Sequence, residues 1–270
     1  MIMKYIIQEL TNRNNVKLLL QLETLSHIGS VMGICLGTTS VILVFQEKTK
    51  MLALLLMIFM WLVIFFIIYL RRISNKVIVF VINELVDLNK YIAFYQTEAD
   101  SSIKLYRSNY QQNLEYVKGQ VSFLKGEFNK SLVQFLQIDL SKVWKRYSKG
   151  YYLTNCYYKL VSSVHLFDEQ KIQKFEEQLL NASDYKNQKS TLVEKAKSIK
   201  DIVFNKQPNN YFDDHSANSR LGKITYTYYA ALNARLKGEE APTRELFESI
   251  AQENPELFYV QEAKRYLEEN

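Results

Sequence analysis

Three histidines and two cysteines are the whole supply of imidazole and thiol chemistry in this 270-residue chain. His27 lies in a run of uncharged residues, where an imidazole can serve as a proton site or, near a headgroup boundary, reach water. His165 follows an apolar stretch and reads as a helix-end residue. Asp213, Asp214 and His215 offer carboxylate and imidazole donors of the kind a divalent ion takes, although three adjacent loop residues usually only solvate the loop. Cys35 and Cys156 are too few for a disulfide framework, and neither belongs to a CxxC pair. Cys156 reads as a buried thiol. The chain carries no Walker loop, GxSxG, HExxH or dinucleotide fingerprint. It is therefore read as a non-enzyme, with no catalytic residue, no metal site and no cofactor assigned.

The elements around these residues begin with an apolar one. Residues 51–70, MLALLLMIFMWLVIFFIIYL, hold no charge, no Gly and no Pro. A bilayer-spanning helix needs ~20 such residues, so this run predicts a transmembrane segment and excludes a purely soluble protein. With 8 Gly, 3 Pro and 48% hydrophobic residues, a collagen-like or disordered chain is excluded as well. Residues 24–45, TLSHIGSVMGICLGTTSVILVF, form a second uncharged stretch of spanning length. Gly29, Gly33 and Gly37 recur every four positions there, so a helix puts all three on one face. A neighbouring helix can approach that face closely, either the second span of the same chain or the first span of another copy in a homo-oligomer. Residues 1–11 place Ile2, Ile6 and Leu10 on one stripe of a short amphipathic helix, suited to the membrane interface or to the protein's own surface. Glu9, Asn12, Arg13 and Asn14 interrupt the first apolar stretch and argue against a signal peptide.

Only Gln46–Lys50 separates the two spans, which predicts a tight hairpin with both chain ends on one side. Lys4, Arg13 and Lys17 precede the first span, and Arg71, Arg72 and Lys76 follow the second; the loop offers Lys48 and Lys50. By the positive-inside rule this predicts a multi-pass cell-membrane protein with both termini cytoplasmic. The net charge of +6 is unevenly spread: residues 1–70 carry +2, 71–210 carry +8 and 211–270 carry −4. A basic excess nearest the bilayer suits anionic headgroups, at ~1 kcal/mol for each close Lys or Arg. No compact Arg-rich patch with interleaved aromatics stands out along the sequence, so nucleic acid is not an expected partner.

After Arg72, apolar residues from Ile73 to Ile92 keep helical spacing among polar interruptions, so the second helix is expected to run on past the bilayer. From Asp100 onward the chain reads as helix after helix, with breaks near Gly126, Gly150, Asn181–Asp184, Gln207–Asp214 and Gly238. Asn205–Asn218, with Pro208, Asn209 and Asn210, reads as a long loop. The expected fold is all-α. Residues 1–23 form an amphipathic and juxtamembrane segment, 24–70 the transmembrane hairpin, 71–99 a helical connector and 100–270 a cytosolic helical domain.

Within that domain two stretches share a rhythm. Gly119 and Gly126 are seven apart and are followed by Phe128, Ser131 and Phe135; Ala231 and Gly238 are also seven apart and are followed by Phe247 and Pro255. These spacings resemble the tetratricopeptide repeat, a pair of antiparallel helices of about 34 residues, over 111–144 and 224–257. The early aromatic and Leu of the first helix are missing from both units, and Thr243 stands where Ala is usual. Residues 150–182 can supply another pair, Tyr151–His165 and Asp168–Leu180, and 186–204 a further helix. An irregular helical bundle is the other architecture that these patterns allow.

The resemblance implies a superhelical stack whose concave face, lined by the first helix of each unit, binds a peptide or protein segment. Carried over residue by residue, that groove would present Asn113, Tyr116, Gln120 and Phe123 from the first unit. The second unit would present Thr225, Tyr228, Leu232 and Arg235. The tyrosine runs YYLTNCYY at 151–158 and YTYYA at 226–230 suit either a recognition surface or a helix-pair core. The function expected is a membrane-anchored protein-interaction scaffold or adaptor. The alternative is a membrane module of a larger integral complex, of bacteriocin-immunity or transporter-accessory type, acting through its glycine-faced hairpin.

Overall fold

A computed structural model of the chain describes the backbone of residues 16–45, 47–102 and 104–269, and their side chains except those of 16–27, 30, 47 and 71. The amphipathic stretch expected over 1–11 and the imidazole of His27 lie outside the described residues. Among the described residues every regular element is helical and no strand occurs. The chain divides into two compact units, Met1–Ile82 and Asn83–Asn270, at a boundary inside the segment read as a connector.

In the first unit, α1 (Val16–Val44) and α2 (Lys50–Phe80) are joined by a tight turn, Glu47–Thr49. The Thr49 hydroxyl closes that turn by donating to the Leu43 carbonyl at 2.9 Å. A Cβ built on Gly29 would lie 2.9 Å from Ile67, on Gly33 3.8 Å from Ile64, and on Gly37 3.0 Å from the Met60 sulfur. Rising numbers on α1 meet falling numbers on α2, so the helices are antiparallel and the glycines face the chain's own second helix. Among the described residues one helix, Lys50–Leu85, is long and apolar enough to cross a membrane, and Val31–Val44 is a shorter apolar stretch. Met51, Leu62 and Phe65 point outward uncovered. Thr38, Thr39 and Ser40 turn their hydroxyls back onto carbonyls of α1, at 2.8–2.9 Å, which satisfies them without water.

The second unit starts with α3 (Leu88–Ser101), α4 (Lys104–Leu124), α5 (Phe128–Gln137) and α6 (Lys145–His165). It continues through α7 (Glu169–Asn181), α8 (Lys189–Ile199) and the four-residue α9 (Tyr211–Asp214), which lies inside the expected long loop. It ends with α10 (Arg220–Lys237), α11 (Glu240–Ile250) and α12 (Phe258–Glu269). Side chains cap three of these starts: Asp87, Asp168 and Ser219 accept from the backbone N–H of Lys90, Lys171 and Gly222.

Three helix pairs, α4–α5, α6–α7 and α10–α11, share one turn. Its central residue is left-handed in each: Gly126 at φ 77°, Phe167 at φ 55° and Gly238 at φ 78°. The next N–H then reaches back to the carbonyl of Ser122, Ser163 or Ala234, at 2.9, 3.1 and 3.0 Å, closing the helix end. Helix contact is closest in the first pair. There a Cβ on Gly119 would lie 3.0 Å from the Phe135 ring, and the Ser131 hydroxyl donates to the Gly119 carbonyl at 2.9 Å. Gly150, expected at a break, instead sits inside α6, where a Cβ would lie 2.8 Å from the Tyr185 ring.

The last elements of this unit return to its first ones. Asn254 donates its amide to the Val86 carbonyl at 2.6 Å, and Lys125 pairs with Glu256 at 3.0 Å. Phe258 packs edge-on to Phe123, Phe128 and Tyr228, and Tyr259 meets Tyr228 and Tyr229. The core is consequently aromatic, with Tyr229, Tyr259, Phe135, Phe175 and Phe247 fully enclosed.

Candidate binding cleft

Helices α4 and α6 lie side by side and are tied by a ladder of polar side chains. Tyr151 donates to Asn113 Oδ1 at 2.8 Å, Tyr116 donates to Thr154 Oγ1 at 2.7 Å, and Gln120 Nε2 donates to the Tyr158 hydroxyl at 3.2 Å. Each pair is separated by 38 residues, so the two helices run parallel and in register. From α3, the Tyr91 hydroxyl donates to Gln120 Oε1 at 2.9 Å. The Gln120 amide is therefore engaged at both ends, which fixes its orientation. The Tyr116 and Tyr151 rings meet at a tilt of 49° with their centroids 4.6 Å apart.

Above this ladder opens a cleft of about 230 Å³, lined by Tyr91, Tyr95, Tyr116, Tyr147, Tyr151 and Tyr185 together with Gln120, Thr154 and Gln188. Tyr185 reaches it because Gly150 has no side chain to hold the ring away. No charged side chain lines it. Burial holds the Tyr91 and Tyr116 phenols well above their ordinary range, and neighbouring phenols add to the effect. Burial, reinforced by the Glu98 charge, raises Tyr151 in the same direction. These hydroxyls stay protonated and act as fixed donors. A wall of rings edged by the exposed Gln188 amide suits an aliphatic or aromatic side chain whose flanking peptide groups bond to Gln188.

The residues expected to face a groove fall into different surroundings. Asn113, Tyr116 and Gln120 are half-buried; Tyr116 and Gln120 form the cleft floor, and Asn113 only accepts from Tyr151 beside it. Phe123 is 3% exposed, Tyr228 5% and Thr225 8%, so these three belong to the core and cannot face a groove. The physical reason is α12, whose Phe258 and Tyr259 cover the positions that an open stack would leave bare. Leu232 is half-buried, and exposed Arg235 lays its guanidinium 5.4 Å from the Tyr266 ring centre. The two sets do not converge on one surface. Tyr91, Tyr95, Tyr147 and Tyr185 are the lining residues that the repeat pattern missed. The i, i+4 spacing of Tyr91 and Tyr95 on one helix was the available signal.

Other candidate chemistry is committed elsewhere. Asp213 accepts from Asn233 and Lys237, both at 2.8 Å. The His215 ring stacks on Tyr211 with centroids 4.4 Å apart, beside a separate surface cavity of about 360 Å³. Among the described residues no three His, Cys, Asp or Glu side chains gather as a metal site would require. His165 is sandwiched: its ring lies flat on Phe128 at 4.2 Å, and Nε2 is 2.9 Å from the Tyr229 hydroxyl. Burial pushes its pKa down to about 3, with the Lys206 charge adding to the effect. Cys156 is fully buried, and burial pushes its thiol up, away from thiolate chemistry. In the first unit, an apolar groove of about 570 Å³ runs past Gly33, Gly37, Met60 and Ile64.

What the fold and site define is an all-helical protein with, among the described residues, one helix long and apolar enough to span a bilayer and, in its second unit, a neutral, tyrosine-lined cleft. No protein-family model matches the chain, and comparison with curated proteins and with solved structures returns no match.

Proposed function

We propose that this chain is a membrane-anchored interaction scaffold that holds a peptide segment of a protein partner in its tyrosine cleft. Spans 24–45 and 51–70 form the anchor, with both termini cytoplasmic, and 100–270 carry tetratricopeptide-like helix pairs. The support for the anchor is the apolar helix Lys50–Leu85 and the six flanking cations against two in the loop. The support for the array is the turn common to three helix pairs. The observation that carries the function is the cleft itself. It combines six tyrosines, no charge and a Gln120 amide already held by its neighbours, a composition that recognises peptides at little ordering cost.

The test is site-specific photocrosslinking in native membranes, with a benzophenone side chain at Tyr95 or Tyr185 and a control at exposed Val133 on α5. The expected result is a discrete adduct from the cleft positions, absent at Val133, whose formation falls when Gln120 is replaced by Ala. Adducts that ignore the Gln120→Ala change would refute the cleft as the docking site.

One observation favours a second reading, a membrane module. The groove beside Gly33 could seat a helix of an integral partner. Gly33→Leu would fill that groove, because a Cβ there meets only Ile64 at 3.8 Å. If this change alone abolished activity while cleft crosslinking persisted, the membrane module would be the better description.

A further inference from the structure

Two short segments distant in sequence assemble a surface that neither shows alone. The Trp144 backbone N–H donates to Asn109 Oδ1 at 3.0 Å, and its ring meets Tyr106 edge-on at 5.9 Å. The first turns of α4 therefore lie against the start of α6. On them stand Lys104, Arg107, Lys145, Arg146 and Lys149, all exposed and without an ion-pair partner among the described residues. Nearby carboxylates are already engaged: Asp139 with Lys142 at 3.1 Å, and Asp100 with the Gln96 amide. Leu105 is 76% exposed and Tyr147 40% exposed between the cations. The Arg146 guanidinium lies 5.2 Å from the Trp144 ring centre and 4.6 Å from that of Tyr147. The fold thus assembles from two halves a basic surface with interleaved aromatics, three Lys and two Arg, that is not compact along the sequence.

We infer that this patch docks the second unit onto an anionic lipid bilayer. Unpaired Lys and Arg near a headgroup layer are drawn to anionic lipid by charge complementarity. Trp and Tyr suit the headgroup level, and an exposed Leu105 adds an apolar contact below it. Single-stranded nucleic acid fits less well, because it needs free ring faces for base stacking, and Arg146 already occupies one face of Trp144 and one of Tyr147. The inference rests on the membrane-anchored reading: a domain tethered to the bilayer meets it at high effective concentration, so a few weak contacts suffice. Tyr147 also lines the tyrosine cleft, so docking would set the cleft beside the lipid surface.

The chain has two tryptophans, Trp61 in α2 and Trp144 in the patch, which makes the test direct. Full-length protein carrying Trp61→Phe or Trp144→Phe is placed in nanodiscs of phosphatidylcholine alone or with phosphatidylglycerol. A lipid with a nitroxide on its headgroup serves as quencher for Trp144, and one with a nitroxide deep in its acyl chain for Trp61. In the Trp61→Phe protein, quenching of Trp144 should rise about twofold or more with phosphatidylglycerol. It should fall back in ~1 M salt, where the screening length is about 3 Å. A Lys145→Glu, Arg146→Glu, Lys149→Glu variant should lose the rise, and Lys145→Arg with Lys149→Arg should keep it. Circular dichroism confirms that each variant is folded.

In the Trp144→Phe protein, Trp61 quenching reports on the anchor separately. Quenching of Trp61 without any phosphatidylglycerol-dependent quenching of Trp144 overturns the docking surface and leaves the anchor standing. Lipid-dependent quenching of Trp144 without quenching of Trp61 supports the surface and removes the anchor. A DNA oligonucleotide that quenches Trp144 where lipid does not would assign the patch to nucleic acid and overturn the inference.

Discussion

The pairs α4–α5 and α10–α11 follow the same local pattern and end with different surfaces. Each has a small residue seven positions before a left-handed Gly and a Phe nine positions after it, Gly119 with Phe135 and Ala231 with Phe247. Both phenylalanines are enclosed, at 1% and 2% exposure. Ten positions before the turn stand Tyr116 and Tyr228, and here the pairs part. Tyr116 lies at the cleft floor with its hydroxyl on Thr154, whereas Tyr228 is packed among Phe247, Phe258 and Tyr259. The pattern decides how two helices meet. The next helix to arrive decides whether a given side chain recognises a partner or fills the core.

The largest effect that could break this comparison is at Tyr228. Truncation to Ala should cost ~3–5 kcal/mol, the same class as Phe135→Ala and Phe247→Ala. Tyr116→Phe keeps its ring contacts and loses one hydrogen bond, so about 1 kcal/mol is expected. Denaturant unfolding of the full-length protein in detergent, followed by circular dichroism, measures both. A Tyr228→Ala cost near 0.5 kcal/mol, the level of a surface change, would mean that α12 does not hold α10 as described.

A second effect is set by pH at the residue that joins the two pairs. His165 ends α6, stacks on Phe128 of α5 and meets Tyr229 of α10. With a folded pKa depressed to about 3, it is neutral in the native state, while the unfolded chain takes up the proton near 6.5. Its contribution is complete above 6.5 and is lost as pH falls toward 3, by about 1.4 kcal/mol for each pH unit. His165→Phe keeps the stacking and removes the titration. The slope of stability against pH between 6 and 4 should therefore flatten in the variant. Equal slopes in the two proteins would show an imidazole that is solvated when folded.

How much of this was legible in the sequence depends on how many elements each feature needs. The long apolar helix through 51–70 was legible because twenty uncharged residues have few alternatives in water. The first and last helix pairs were legible because Gly and Ala mark close contact, and Gly marks the turn. The helices of the middle pair followed from periodicity, but its shared turn did not, because Leu160 and Phe167 replace the small residue and the Gly. The cleft was only half legible. Its floor lies on one helix, but its rim comes from α3, the start of α6 and the segment around Tyr185. Tyr228 was misplaced because nothing near it in sequence announces the return of α12.

A smaller effect sharpens the comparison at the small position. A Cβ on Gly119 would lie 3.0 Å from ring atoms of Phe135, tighter than ordinary contact, so either the ring or the helix must yield. Gly119→Ala should cost ~1–3 kcal/mol by overpacking, despite the better helix propensity of Ala. At the matching position Ala231 is already fully buried, and the reverse change, Ala231→Gly, should cost about 1 kcal/mol. Both follow from the same unfolding curves. A neutral Gly119→Ala would mean that the first pair is packed no more tightly than the last.

The smallest effect concerns the turn itself, where Gly238 and Phe167 adopt the same left-handed backbone with different side chains. A Cβ added at Gly238 meets nothing within 4 Å, so Gly238→Ala isolates the conformational penalty, about 1 kcal/mol. Phe167 bears that penalty in the native protein and offsets it through its ring, which faces Phe204 at 6.1 Å and the Lys206 ammonium at 5.2 Å. At an exposed site those contacts are worth about 0.5–1 kcal/mol. Phe167→Gly should therefore leave stability within about 0.5 kcal/mol of the native protein, relief of strain balancing the lost contacts. Removing the compensation first separates the two terms. In a Phe204→Ala, Lys206→Ala background the same Phe167→Gly change should stabilise by up to about 1 kcal/mol. If it still destabilises there, the Phe167 ring holds the middle pair through contacts other than these two, and the balance proposed for this turn fails.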